Sequence, residues 1–331
     1  MSSRPALLLG AVAALVLTGC GSSQGGGTAP APDASRLAGT SLYVDPDSSP
    51  AKQVRLLQAA QRSQDAAAVA DRIANRPIAR WFTGDGDPFL QARELSTAAA
   101  AAGQVPVLAV YDLPGRDCGL YSAGGAPDDE AYTHYVGSLA AGLGDRPAVV
   151  VLEPDAVAHS LSGCGSAPER GRALLRAAVD MLTRQPGTRV YLDAGNATWV
   201  DDLPGLAAAL RDSGVEQADG FALNVSNYEE TGTSVAYGQR LSDLLGGAHF
   251  VVDTSRNGAG PPSSADDAAG AHAWCNPPGR RLGTDPTTDP GAPRVDALLW
   301  VKSPGDSDGT CHPGDLPAGQ WSAALAQDLL G

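Results

Sequence analysis

The chain has 331 residues, room for one large domain or two modest ones. An apolar share of 43% with 18% charged residues excludes a membrane channel, a fibre and a fully disordered chain. Acidic residues number 37 against 23 basic ones, a net charge of -14, and no Lys/Arg cluster offsets that field, so no nucleic-acid partner is expected.

In chain order, Arg4 precedes an apolar run from Ala6 to Leu17 that closes in L-T-G-C at Cys20. The run is shorter than the roughly 18 residues that span a bilayer, so it reads as an export signal. The small residue before Cys20 resembles the lipobox of bacterial lipoproteins, in which that cysteine is lipidated and becomes the new N-terminus. The expected organisation is a signal over 1–20, a Gly/Ser/Pro tether over 21–37 and one domain over 38–331. A tether of that composition is a flexible coil with a reach of about 20 Å.

Within the domain, short apolar runs alternate with helical patterns. Strands are expected at Ser41–Val44, Ile78–Phe82, Val105–Tyr111, Ala148–Glu153, Arg189–Asp193, Gly220–Val225, Ala248–Asp253 and Ala297–Lys302. Their richness in Val, Leu and Ile suits strands buried on both faces. Helices are expected near 50–74, 87–102, 128–143, 167–185, 202–213 and 233–245. Seven or eight such repeats predict an α/β fold with a parallel β/α barrel of the TIM type, with an open doubly wound sheet as the alternative. No G-x-G-x-x-G opens the first unit, so no dinucleotide is expected.

Cys118, Cys164, Cys275 and Cys311 remain after Cys20. An even set in an exported chain fits two disulfides in one of three pairings. Cys118–Cys164 and Cys275–Cys311 are favoured because each brackets one compact segment. No C-x-x-C occurs, and His312 alone lies near these cysteines, so neither metal nor cofactor is expected.

Strand after strand ends on a polar or ring-bearing residue: Asp45, Tyr111, Glu153 then Asp155, Asp193, Asn224, Asp253, Lys302. In a barrel these ends converge on one face. The loop after Tyr111 carries Arg116 and Asp117. In V-V-V-L-E-P-D, Pro154 is expected to keep Glu153 extended and turn the chain at Asp155; the alternative for Asp155 is a helix cap. Lys302, one of only two lysines, precedes Asp306 and Asp308 in a Gly-rich loop, and sharing a strand would put it on the face of Trp300. Trp81, Trp199, Trp274 and Trp300 lie near strand ends or in long loops, where flat indoles suit sugar rings. With no G-x-S-x-G and no H-E-x-x-H, paired carboxylates are the chemistry that remains, as in glycoside hydrolysis.

Seven segments in order, Y-D-L-P-G-R-D-C, L-E-P-D, Y-L-D-A-G, A-L-N-V-S-N-Y, V-V-D-T-S-R-N-G, W-C-N-P-P-G-R and L-W-V-K-S-P-G-D-S-D-G, resemble glycoside hydrolase family 6, the cellulases. The resemblance runs from about Leu42 to Leu330. It implies a distorted seven-stranded barrel, with one of the eight strands peripheral, and an inverting endo-β-1,4-glucanase acting on a β-1,4-glucan. It also implies Asp155 as general acid, and Asp117 as the group that keeps it protonated and assists the water network. Asp308 falls to the base or ring stabiliser, and Tyr111 to the residue that presses on the distorted sugar. Asp193, Trp199, Asn224, Trp274 and Lys302 fall on substrate contacts; Asp306, Trp81 and Arg116 are further substrate-contact candidates from the reading of the residues themselves. Both favoured disulfides agree with the family's. Three positions depart: Gln53 stands where a Trp is usual, Asn196 where a His is, and Asp306 where a Glu is. They leave a glucan-binding lipoprotein of little or no activity as the alternative. The expected protein is a monomer with an open groove that meets the membrane only through its lipid anchor.

Overall fold

Runs such as Ala-Val-Val-Val-Leu at 148–152 have branched or small side chains on both faces, and they form strands buried on both sides. The computed structural model describes Met1 and residues 34–163, 168–263 and 273–331. Cys20 and Cys164 lie outside the described residues. The described residues of the unit Pro32–Gly331 carry seven parallel strands in sequential order. These are β1 (Arg80–Phe82), β2 (Val107–Val110), β3 (Ala148–Leu152), β4 (Thr188–Asp193), β5 (Gly220–Leu223), β6 (His249–Asp253) and β7 (Val295–Leu299).

The sheet curls into an incomplete barrel. Its edges β1 and β7 form no ladder among the described residues; they meet where Ala79 N–H donates to the Trp300 carbonyl at 2.9 Å and Trp81 Nε1 to the Val301 carbonyl at 2.9 Å. Alternate strand residues separate into two cores, as a two-residue period requires. Leu108, Val150, Leu192, Phe221 and Val252 pack against the helices. Val107, Val149, Val151, Tyr191 and Val251 fill the concave side with Leu37 and Leu42.

The expected first strand, Ser41–Val44, is peripheral: it makes one parallel bridge, Leu42 to Val105. Pro106 follows and has no N–H to extend the ladder. Opposite the strands' C-terminal ends, Asp296 ties the start of the domain to the barrel base. Its carboxylate accepts from Arg36 N–H at 2.6 Å and Tyr191 Oη at 2.7 Å, and pairs with His249 Nδ1 at 2.8 Å.

Helices fill the crossovers: α1 (Ser49–Ala59), α2 (Ser63–Val69), α3 (Pro88–Ala101), α4 (Asp129–Leu143), α5 (Ala156–Leu161), α6 (Pro168–Leu182), α7 (Leu203–Asp212), α8 (Thr231–Leu244) and α9 (Ala323–Leu330). Side-chain caps start several of them. Asp87, Asp128 and Asp202 accept from the N–H groups of Leu90, Ala131 and Gly205. The single helix expected over 50–74 is broken at Gln61, whose φ of 60° cannot continue a right-handed helix. α8 lies so close to β6 that a methyl group at Gly238 would sit 2.4 Å from the Phe250 ring.

Candidate active site

The loop leaving β2 returns tightly on itself, and Gly125 makes this possible: a Cβ there would lie 2.0 Å from the Leu113 carbonyl oxygen. Arg116 holds the loop's interior through backbone carbonyls, donating to Ser122 O at 2.9 Å, Thr83 O at 2.9 Å and Tyr111 O at 2.6 Å. Its guanidinium also covers the Tyr111 ring at 4.9 Å, so Arg116 is committed to the loop and offers little to a ligand. Trp81 meets the Tyr111 ring edge-on at 5.5 Å.

Asp117 adopts a φ of 58° and turns its carboxylate inward. Its Oδ2 accepts from Ser122 N–H at 2.6 Å and Ser122 Oγ at 2.8 Å. Ser122 has one hydroxyl proton, given to Asp117, so the Tyr111 hydroxyl donates to Ser122 Oγ at 3.1 Å. Cys118 is disulfide-bonded, and Cys275 is bonded to Cys311.

After β3 the chain does not stay extended as expected. Glu153 has a φ of 49°, because its buried carboxyl reaches back to accept from Asp112 N–H at 3.0 Å and Leu113 N–H at 3.0 Å. Burial outweighs those bonds and pushes the Glu153 carboxyl up to about 8. Asp155 follows at φ 70°. It occupies the cap position of α5, yet its side chain makes no capping bond. Its own N–H donates to Asp193 Oδ2 at 2.7 Å, and Gly195 N–H donates to the same oxygen at 3.1 Å.

Burial first, then the charges of Asp117 and Asp308, push the Asp155 carboxyl up to about 7, against the pull of Lys302. One oxygen of Asp155, one of Asp117 and a ring nitrogen of His159 all lie within 4.8 Å of one another. Asp193 is fully buried; burial and the Asp155 charge hold its carboxyl well above the usual range.

Asp308 is the opposite case. Burial alone would raise its carboxyl, but Arg256 and Lys302 overcome that and hold it well below the usual range. Its Oδ2 accepts from Arg256 Nη1 at 3.0 Å, Asn276 N–H at 3.0 Å and Tyr228 Oη at 3.2 Å; Oδ1 pairs with Lys302 Nζ at 2.9 Å. A carboxylate so surrounded is a fixed negative charge and a poor proton acceptor. Two acids pushed in opposite directions define separate roles in one site.

The remaining expected residues divide. Trp199 stands edge-on to His159 at 4.8 Å. Trp274 is 37% exposed and meets Tyr121 at 6.0 Å. Asp306 is mostly buried, which raises its carboxyl to about 6 against the pull of Lys302. Asn224 is fully buried with its amide spent on Glu229 and the Asp253 carbonyl, so it shapes the β5 loop and has no free group for a sugar. Trp300 is core: β7 ends at Leu299, so Trp300 and Lys302 share no strand face, and the indole packs on Ile73 and Ile78. Tyr121 packs on Gly309 and Trp274, so the loop bearing Asp117 touches the segments flanking Asp308.

Ser122, His159, Tyr228, Arg256 and Asn276 join the site unannounced by single-residue reasoning. Three of them stand inside N-V-S-N-Y, T-S-R-N-G and W-C-N-P-P, segments that carried the resemblance. The 3.9 Å between Asp117 and His159 exceeds the roughly 3.4 Å between tetrahedral ligands on about 2.1 Å bonds, so the trio reads as an acid–base group.

A raised acid, a clamped carboxylate and a cleft at the strand ends define a hydrolase that works with carboxyl groups. The sequence pattern of "Glycosyl hydrolases family 6" matches residues 37–331, and the chain belongs to that family. It is similar to endoglucanase 1 of Streptomyces sp. (strain KSM-9), 44% identical over 80% of this chain and 71% of the relative. It is also similar to endoglucanase A of Thermobispora bispora, 41% identical over 81% of this chain, although the match spans only 58% of that relative's length. Among solved structures it is similar to the endoglucanase Cel6 from Mycobacterium tuberculosis in complex with methyl-cellobiosyl-4-deoxy-4-thio-β-D-cellobioside. That likeness has a TM-score of 0.82 and 41% identity, and covers 89% of this chain and 98% of the other.

Proposed function

We propose that the protein is an inverting endo-β-1,4-glucanase, exported and held at the membrane by a lipidated Cys20, whose catalytic domain begins near residue 38. The observation that carries this reading is the uncapped Asp155 side chain, its carboxyl raised to about 7 beside Asp117. The glucan lies across the mouth of the barrel. Protonated Asp155 gives its proton to the glycosidic oxygen as the bond to the anomeric carbon breaks. A water adds to that carbon from the opposite face, and its proton leaves through the water network beside Asp117. Asp308, clamped and charged, stabilises the positive charge that develops on the ring. Tyr111 presses on the distorted sugar, while Trp199, Trp274 and Lys302 contact its neighbours.

The first anomer released from soluble β-1,4-glucan, followed by NMR, tests the reaction: inversion gives the α anomer first, and a β anomer would sink it. Asp155→Asn should lower turnover by about 10²–10⁴. Turnover that survived this change would remove Asp155 from the role. A wild type that binds cello-oligosaccharides but releases no reducing ends would leave the glucan-binding alternative.

A further inference from the structure

α5 begins directly behind Asp155, and one turn later it presents His159, whose backbone N–H donates to the Asp155 carbonyl at 2.8 Å. The ring turns toward the β2 loop. Its Nε2 lies 3.9 Å from Asp117 Oδ1, the oxygen that Ser122 leaves free. Trp199 meets the ring edge-on at 4.8 Å. The imidazole also borders a cavity of about 230 Å³ that Asp117 and Arg170 line as well.

We infer that His159 and Asp117 form a titrating couple: on acidification the imidazolium holds Asp117 in its charged form and so carries the enzyme's working range to lower pH. The inference rests on the glucanase reading and adds to it a positioning residue that never touches the bond being cut. Near neutral pH the imidazole is uncharged, since burial lowers its proton affinity against the pull of Asp117. The couple therefore engages only on the acid side.

Several other charged groups lie around His159. Asp155, at the cap of the same helix, has an oxygen within 4.8 Å of the ring nitrogen, and Glu153, Asp129 and Arg116 line the same cavity. From α6, Arg170 borders the same cavity, and Arg172 donates to Ser160 Oγ at 3.2 Å while pairing with Asp212 of α7. Arg172 is thus partly neutralised, and on the acid side Asp155, its carboxyl raised to about 7, is protonated, which leaves Asp117 at 3.9 Å as the charged carboxylate beside the ring.

The test is the pH profile of kcat/KM for His159→Asn on soluble glucan. The acid limb should move up by about one pH unit, while the alkaline limb, where the imidazole is neutral, stays in place. A merely structural histidine would lower the whole profile and move neither limb. Linkage supplies a second readout that needs no turnover: in Asp117→Asn the His159 ring, followed by NMR, should titrate about one unit lower. An unmoved acid limb together with an unmoved ring titration overturns the couple. A wild type without glucanase activity would instead overturn the proposed function and leave the ring titration to decide the couple.

Discussion

Replacing Asp117 with Asn removes the largest charge that keeps Asp155 protonated, and the alkaline edge of activity should move to lower pH. The carboxylate oxygens approach within 4.8 Å. At an effective dielectric of about 20, two unit charges at that distance repel by about 3.5 kcal/mol, or roughly 2.5 pH units. Asp155 is partly open to solvent, and screening reduces the expected movement to about one unit. With the Asp155 carboxyl at about 7, wild-type kcat/KM should fall tenfold per unit above that point. Asp117→Asn should begin the same fall near pH 6, on top of a lower plateau from the loss of its role beside the water. The assay is reducing-end release from soluble glucan between pH 4 and 9, with folding checked by thermal melting at each pH. If the plateau drops but the alkaline edge stays at about 7, Asp117 does not hold the proton on Asp155, and the electrostatic argument fails.

Two further outcomes follow from the same geometry. The carboxyls of Glu153 and Asp155 are raised in the fold to about 8 and about 7, above the roughly 4 of an unfolded chain. The native state therefore keeps protons that the unfolded chain releases. Their contribution to stability is complete below about pH 4 and is lost as pH rises through 7 and 8. The melting temperature should fall from pH 5 to pH 8.5, less steeply in Glu153→Gln; a melting temperature that rose over that interval would refute the assignment. Separately, the Cys275–Cys311 bridge closes a loop with a sequence separation of 36, so replacing both cysteines with Ala should cost about 3–4 kcal/mol in denaturant unfolding. A loss below about 1 kcal/mol would refute the loop-closure estimate for this bridge.

The β/α order was legible because Val-rich runs and helical patterns are local signals, and they stand where the structure has β3, α3, α4 and α7. What escaped depends on partners distant in sequence. Ser41–Val44 has the composition of a strand, but Pro106 limits its pairing to the single bridge at Val105. Gln61 looks helical and is not, and the six-residue α5 is too short to show a period. At the site, Asp155 and Asp117 could be read from their strand-end loops. The clamp on Asp308 could not, because Arg256, Tyr228 and Asn276 come from three other loops and meet only in space. Asn224 shows the reverse: its segment points to a sugar contact, while burial turns its amide to the backbone.

The contact of Tyr121 with Trp274 and Gly309 has a mechanical side. Tyr121 and Asp117 sit in one short turn closed by the Ser122 hydrogen bonds to Asp117, so a change made at the Tyr121 contact would be felt at the Asp117 carboxylate.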